Sequence, residues 1–168
     1  MIVQLVVEKW RHTPLDTVFR IIEEVERQAW RGDNIGMIVF GSNPAPILDP
    51  GSSRLSPTDS FTRAPQMPGR PNPGPALVEA VDQMASSTVE VEEWPLILVW
   101  SARSRPKHLD LHLSYAIDAG ASIRLIALRP SKPPWLDEED YQGKLVIKRI
   151  RKNTNIKRLV SEVLNTPL

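Results

Sequence analysis

The chain has no cysteine. That excludes a disulfide framework, a thiolate zinc site, an iron–sulfur cluster and a cysteine nucleophile. Long apolar runs are missing as well. Stretches such as Pro95–Trp100 fall far short of the roughly 20 residues that a bilayer-spanning helix needs, so no membrane segment is expected. Net charge is close to absent: 21 Lys and Arg stand against 20 Asp and Glu, giving +1. The overall balance therefore names no partner, and local clusters have to. Walker A, Gly-x-Gly-x-x-Gly and Gly-x-Ser-x-Gly patterns are lacking, which leaves nucleotide chemistry and hydrolase catalysis unsupported. The opening MIVQLVVEKW has neither a basic leader nor a small-residue cleavage site. The expectation is a cytoplasmic chain that starts here.

What is present describes one globular domain, 1–168, with 41% hydrophobic and 24% charged residues. The hydrophobic period alternates along it. Ile2–Val7, Ile35–Phe40, Pro95–Trp100, Ile123–Leu128 and Leu145–Ile150 read as short buried strands. Pro44–Asp49 reads as a further strand at an edge, where proline does no harm. Between them lie helical patterns. Thr13 is expected to cap the first helix, with Pro14 at its first position and Asp16 completing a capping-box-like pair. Its inward face is Val18, Ile21, Ile22, Val25 and Ala29. Helices are also expected over Pro75–Met84, Lys107–Ala119 (ended by Gly120) and Asn155–Leu164. Strand–helix alternation predicts an α/β fold: an open, mostly parallel, doubly wound sheet of about six strands, one of them a short antiparallel edge strand, with helices on both faces. Ser42–Pro75 holds nine of the 16 prolines and reads as a surface excursion.

Four segments carry a family resemblance. They are Ile2–Val7 with Glu8, Asp33–Ser42, Pro95–Ser101 and Ala119–Leu128. In order and spacing they resemble the first, second, fourth and fifth strands of a von Willebrand factor A-type (vWA) domain. The resemblance spans essentially the whole chain and implies a Rossmann-like sheet. It also implies a metal ion-dependent adhesion site built from Asp-x-Ser-x-Ser, a Thr, and an Asp after the fourth strand. Here the first motif is replaced by Glu8-Lys9-Trp10-Arg11-His12, the Thr position falls near Pro71 or Asn72, and Ser101 stands after the fourth strand. Magnesium gains most from several carboxylates. This rim offers one, among Lys9, Arg11, Arg70, Arg103, Arg105 and Lys107. The expectation is a degenerate site that binds no metal and no cofactor.

The C-terminal ends of parallel strands form the ligand crevice in open α/β sheets. The candidate partner-binding residues there are Glu8, Lys9, Trp10, Arg11, His12, Arg70, Asn72, Ser101, Arg103, Ser104, Arg105 and Lys107. Guanidinium forks and hydroxyls before a helix suit carboxylate or phosphate. A solvated loop with locally paired arginines is the plainer reading of the same residues. Trp10 is expected to project between Arg11 and Arg105 as an aromatic anchor. A second basic cluster, Lys148, Arg149, Arg151, Lys152, Lys157 and Arg158, supplies possible phosphate contacts, against the plainer reading of a solvated face. His108 and His112, one helical turn apart, lack a third ligand and the glutamate of a zincin helix, so they read as solvent-facing. A Ser101–His12 dyad oriented by Glu8 is conceivable on paper and disfavoured. The reading is a non-catalytic protein-interaction module presenting a basic, Trp-containing pole to an acidic partner. The alternative is association with nucleic acid.

Overall fold

In the computed structural model, which describes residues 1–51, 54–87 and 91–165, the apolar runs of the sequence become the centre of one sheet. The strands are β1 (Val3–Glu8), β2 (Ile35–Phe40), β3 (Pro44–Leu48), β4 (Trp94–Trp100), β5 (Ala121–Ala127) and β6 (Leu145–Arg149). Their order is β3-β2-β1-β4-β5-β6. Only the β2–β3 pair is antiparallel. The helices are α1 (Leu15–Ala29), α2 (Pro57–Arg63), α3 (Pro73–Ala85), α4 (Leu109–Asp118) and α5 (Ile156–Asn165). The expected α/β class, strand number and antiparallel edge strand are all observed.

Alternation along the strands divides the core in two. Val3, Leu5 and Val7 of β1 join Ile97 and Val99 of β4 under α1, α2 and α5. Val6, Leu96, Leu98 and Trp100 face α3 and α4. All five anticipated inward residues of α1 are buried. Every residue of β1, β2, β4 and β5 is buried, as expected for a parallel sheet covered on both faces. Gly120 takes φ +100 after α4, and a Cβ there would lie 2.3 Å from the Glu92 carbonyl. Both facts require glycine at that turn.

One local expectation is corrected, and one segment gains detail. Thr13 does not cap α1; Pro14 occupies the cap position and no side chain bonds there. The Thr13 hydroxyl is drawn instead to Glu8, a stronger charged acceptor. The Pro-rich excursion is also more structured than its composition suggests. It contains β3, all of α2 and the first residues of α3. Ser56 caps α2 and Asn72 caps α3, each followed by proline at N1 or N2. Prolines here start helices, so α3 begins at Pro73 and α2 escapes the sequence pattern altogether.

The outer strand β6 is protected at its free side. The backbone N–H of Ile147 donates to Glu138 Oε1 at 2.6 Å. Glu138 lies in the short 3-10 turn Glu138–Tyr141 and also meets Lys132 at 3.2 Å. An acceptor placed against an edge N–H blocks strand addition.

Candidate functional site

The register gathers the expected loops at one pole. Glu8 of β1 lies level with Phe40, Trp100 of β4 with Ala127, and Ala127 of β5 with Arg149. The residues following these strands therefore share the C-terminal edge of the sheet. The Pro-rich segment is stitched to that edge by backbone bonds: Met67 N–H to the Lys9 carbonyl at 2.7 Å, Ser42 N–H to Pro68 at 3.1 Å, and Asn72 N–H to Gly41 at 2.9 Å. This is how Arg70, distant in sequence, reaches the rim.

Glu8 is 1% exposed, and its carboxylate has internal partners on both oxygens. Oε1 accepts from the Ser101 hydroxyl in a short bond and from the Ser101 N–H at 3.3 Å. Oε2 accepts from the Thr13 hydroxyl at 2.7 Å. Thr13 Oγ1 in turn accepts from the Trp10 N–H at 2.9 Å. The Glu8 carboxylate thus pins β1, the loop after β4 and the turn into α1 to each other. Such charge-assisted bonds are the strong ones.

Above this buried network lies a cleft of about 280 Å³ lined by Glu8, Trp10, Trp100, Pro71, Ser101 and the rim residues Arg70, Arg103 and Ser104. Trp100 forms its apolar base and is held edge-on by Trp135, with ring centroids 5.7 Å apart. Trp10 is half-buried, with the Arg11 guanidinium 5.6 Å over its ring and the His12 ring edge-on at 4.7 Å. Arg70, Arg103 and Arg11 are exposed, and none makes an ion pair among the described residues. The loop carrying Arg103 and Ser104 is bracketed by two non-glycine residues in the left-handed region, Ala102 at φ +52 and His108 at φ +60. Such conformations cost free energy and persist where surrounding structure holds them, commonly at functional sites.

Several anticipated site residues have other work. Lys9 is turned away from the rim and is 7% exposed. Its ammonium donates to the carbonyls of Phe61 and Ala64, at 2.6 Å each, and lies 4.6 Å over the Phe61 ring. It therefore ties down the C-terminal end of α2, and burial pushes its pKa below the ordinary lysine value. Asn72 Oδ1 accepts from the Gly74 N–H at 3.0 Å and serves as a cap. Arg105 is paired with Asp110 at 2.5 Å, so Trp10 faces Arg70 and Arg103 across the cleft, not Arg105. Tyr141 also donates to Asp110, at 2.7 Å; its burial, with Asp110 beside it, raises the phenol pKa far above its usual range. Lys107 is exposed outside the cleft lining.

The Ser101–His12 dyad does not form. Ser101 donates to Glu8, and the second Glu8 oxygen takes Thr13; His12 lies against Trp10 beside an open hollow with Gln66 and Met67. His112 is not solvent-facing as expected. Its Nδ1 is buried, and a Cβ on Gly74 would lie only 2.3 Å from it. Close packing of α4 on α3 consumes this ring. Among the described residues no group of three or more His, Asp or Glu could hold a metal ion.

The second basic cluster is divided by the fold. Lys148 meets Glu162 at 3.8 Å and Arg158 meets the same carboxylate at 3.2 Å. Arg149 is half-buried at the end of β6, and Lys157 is exposed on α5. Arg151 and Lys152 instead follow β6 onto the C-terminal edge, where both are exposed. Arg129, which follows β5 onto the same edge, is exposed too. A lone arginine after a strand carries no local signal in the sequence.

No family model matches the chain, and no curated protein does. Solved structures do match in fold. An aerotolerance-related membrane protein from Bacteroides fragilis superposes with a TM-score of 0.71 at 12% identity, covering 98% of this chain and 96% of that one. A von Willebrand factor type A protein from Catenulispora acidiphila gives 0.64 at 12% identity, over 96% of this chain and 41% of that one. Proximal thread matrix protein 1 from the mussel byssus, with a zinc-occupied MIDAS motif, gives 0.71 at 8% identity, over 98% and 47%. The fold is vWA-like, as the resemblance implied. Among the described residues no helix is long and apolar enough to cross a membrane.

Proposed function

We propose that this vWA-like domain is a non-catalytic protein-interaction module in which cation-mediated capture has been replaced by direct capture of an acidic partner. One observation carries the reading. Glu8, the only carboxylate lining the cleft among the described residues, is already satisfied by Ser101 and Thr13, while Arg70 and Arg103 stand unpaired among the described residues beside Trp10, over an apolar base. A divalent cation would have to break those bonds and approach two guanidinium groups. A partner carboxylate would gain bidentate bonds to arginine and apolar contact with indole. Of the solved structures similar in fold, the mussel protein has zinc in its MIDAS motif; on the resemblance drawn from the sequence, the stretch Glu8–His12 stands where this family's first metal-site motif would.

The nucleic-acid alternative is less well supported, since Lys148 and Arg158 are engaged by Glu162. The test is a titration with capped acidic peptides in EDTA, read by tryptophan fluorescence, because Trp10 and Trp100 line the cleft. Binding without metal that is lost in an Arg70→Glu/Arg103→Glu variant supports the proposal. Binding that requires magnesium overturns it.

A further inference from the structure

The topology does something that neither basic cluster reveals alone. Following the sheet from β1 through β4 and β5 to β6, the residues just past each strand are Arg11, Arg103, Arg129, and Arg151 with Lys152. The strand ends that they follow are level, because Trp100, Ala127 and Arg149 are paired neighbours. Arg70 joins from the Pro-rich loop. All six side chains are exposed, and none makes an ion pair among the described residues. Asp110, which follows the Arg103 loop in the chain, is already taken by Arg105 and Tyr141.

We infer that the cleft is one end of a longer track, and that the occupant is an extended acidic peptide segment lying across the C-terminal edge. This rests on the proposed function, since it assumes that the cleft takes a carboxylate. Three strand intervals of about 4.8 Å make a track of about 14 Å, which about four residues of extended chain would span. One acidic side chain enters the cleft between Arg70 and Arg103, against Trp10. Acidic side chains further along meet Arg129, then Arg151 and Lys152. Carboxylates fit this surface better than a nucleic-acid strand. The Trp10, Trp100 and Trp135 rings gather at the cleft end of the track, whereas single-strand binders offer successive stacking platforms along the groove. Among the residues following β5 and β6, Arg129 to Ser131 and Arg151 to Thr154, there is no aromatic side chain.

The experiment compares two capped peptides, one with a single aspartate and one with a run of four acidic residues, and a thymidine oligonucleotide of equal charge. Affinities are measured by tryptophan fluorescence in EDTA. The four-acid peptide is expected to bind the wild-type chain at least ten-fold more tightly than the single-aspartate peptide. In an Arg129→Glu/Arg151→Glu variant that advantage falls by about ten-fold, the equivalent of two exposed ion pairs, while the single-aspartate affinity is unchanged. If the variant keeps full affinity for the run, but Arg70→Glu/Arg103→Glu loses both peptides, the track is overturned and the cleft stands. If neither peptide binds the wild type, the proposed function fails and the track with it. Tighter binding of the oligonucleotide than of the four-acid peptide assigns the edge to phosphate and overturns the carboxylate occupant.

Discussion

Glu8 is the residue at which the replacement of ion coordination by internal bonding is most directly measurable. Replacing it with alanine removes the acceptor of the Thr13 hydroxyl, the Ser101 hydroxyl and the Ser101 N–H. Two of these bonds are well formed; the third, at 3.3 Å, is weak. A buried donor that loses a charged acceptor costs about 1.5–3 kcal/mol. Removing the buried charge itself returns part of that, because the carboxylate no longer has to be held out of water. The net is about 3 kcal/mol of lost stability, which for a domain of this size lowers Tm by about 6–12 °C. Glu8→Gln keeps the shape and a carbonyl oxygen for Ser101, but its amide cannot accept from Thr13. It should lose about 1–1.5 kcal/mol, a single neutral-for-charged exchange.

The assay is thermal and urea unfolding of the three proteins, each in EDTA and in excess magnesium. The order wild type, Gln, Ala should be the same in both, and magnesium should move none of them. A site filled by ion at 100 times its Kd would add about 2.7 kcal/mol to the wild type alone, or roughly 5–11 °C in Tm. A magnesium-dependent rise of that size in the wild type, absent in Glu8→Gln, would refute the reasoning.

Three further outcomes follow from packing. Lys9→Met takes the ammonium donor from the Ala64 carbonyl and leaves the Phe61 carbonyl only the Ala64 N–H, and should cost about 2 kcal/mol by urea unfolding. Because burial lowers the Lys9 pKa, the unfolded chain holds its proton to higher pH than the folded one. This group therefore makes stability rise as pH climbs through the folded value toward 10.5, and the variant's stability curve should lack that rise. Gly74→Ala drives a Cβ into His112 and should cost about 1–3 kcal/mol by thermal unfolding. The same change in a His112→Ala background should cost much less, since the obstructing ring is gone. Glu138→Ala uncovers the Ile147 N–H on the free side of β6. It should lower stability by about 1 kcal/mol and increase self-association in sedimentation, and sedimentation identical to that of the wild type would contradict the edge-protection argument.

How far the sequence carries depends on whether a feature is periodic or positional. The strands and the α1 face were legible because runs such as Ile35–Phe40 and the spacing Val18-Ile21-Ile22-Val25 encode burial locally. The site was legible in part. Strand ends must converge in a parallel sheet, so Glu8, Trp10, Ser101 and Arg103 were found together. Lys9 was misplaced because one residue past a strand the chain can turn either way, and only the position of α2 decides that its ammonium points inward. The capping role given to Thr13 failed for a similar reason: a hydroxyl chooses its strongest acceptor, and the Glu8 carboxylate lies outside the local window. α2 was hidden by prolines that serve its N-terminus.

Arg129 carries that argument one step further. By local criteria it is an unremarkable arginine after a strand, and Arg151 belongs to a cluster that charge counting treats as one patch. Strand order separates what the sequence joins, sending Lys148 and Arg158 toward Glu162 on α5. It also joins what the sequence separates, setting Arg103, Arg129 and Arg151 beyond three adjacent strand ends. Charge-run analysis weighs neighbours in the chain, whereas a partner meets neighbours across the sheet. The electrostatic field at the pole is therefore a property of the crossover order. Its salt sensitivity should follow the arginines at the strand ends and be indifferent to Lys157 on α5, which is exposed yet lies away from that edge. Measured against the four-acid peptide, Lys157→Glu should leave affinity within about two-fold, the scale of a distant, screened charge, while Arg129→Glu weakens it more. Equal losses from the two changes would mean that the peptide senses net charge alone, and the strand-end geometry would have no part in recognition.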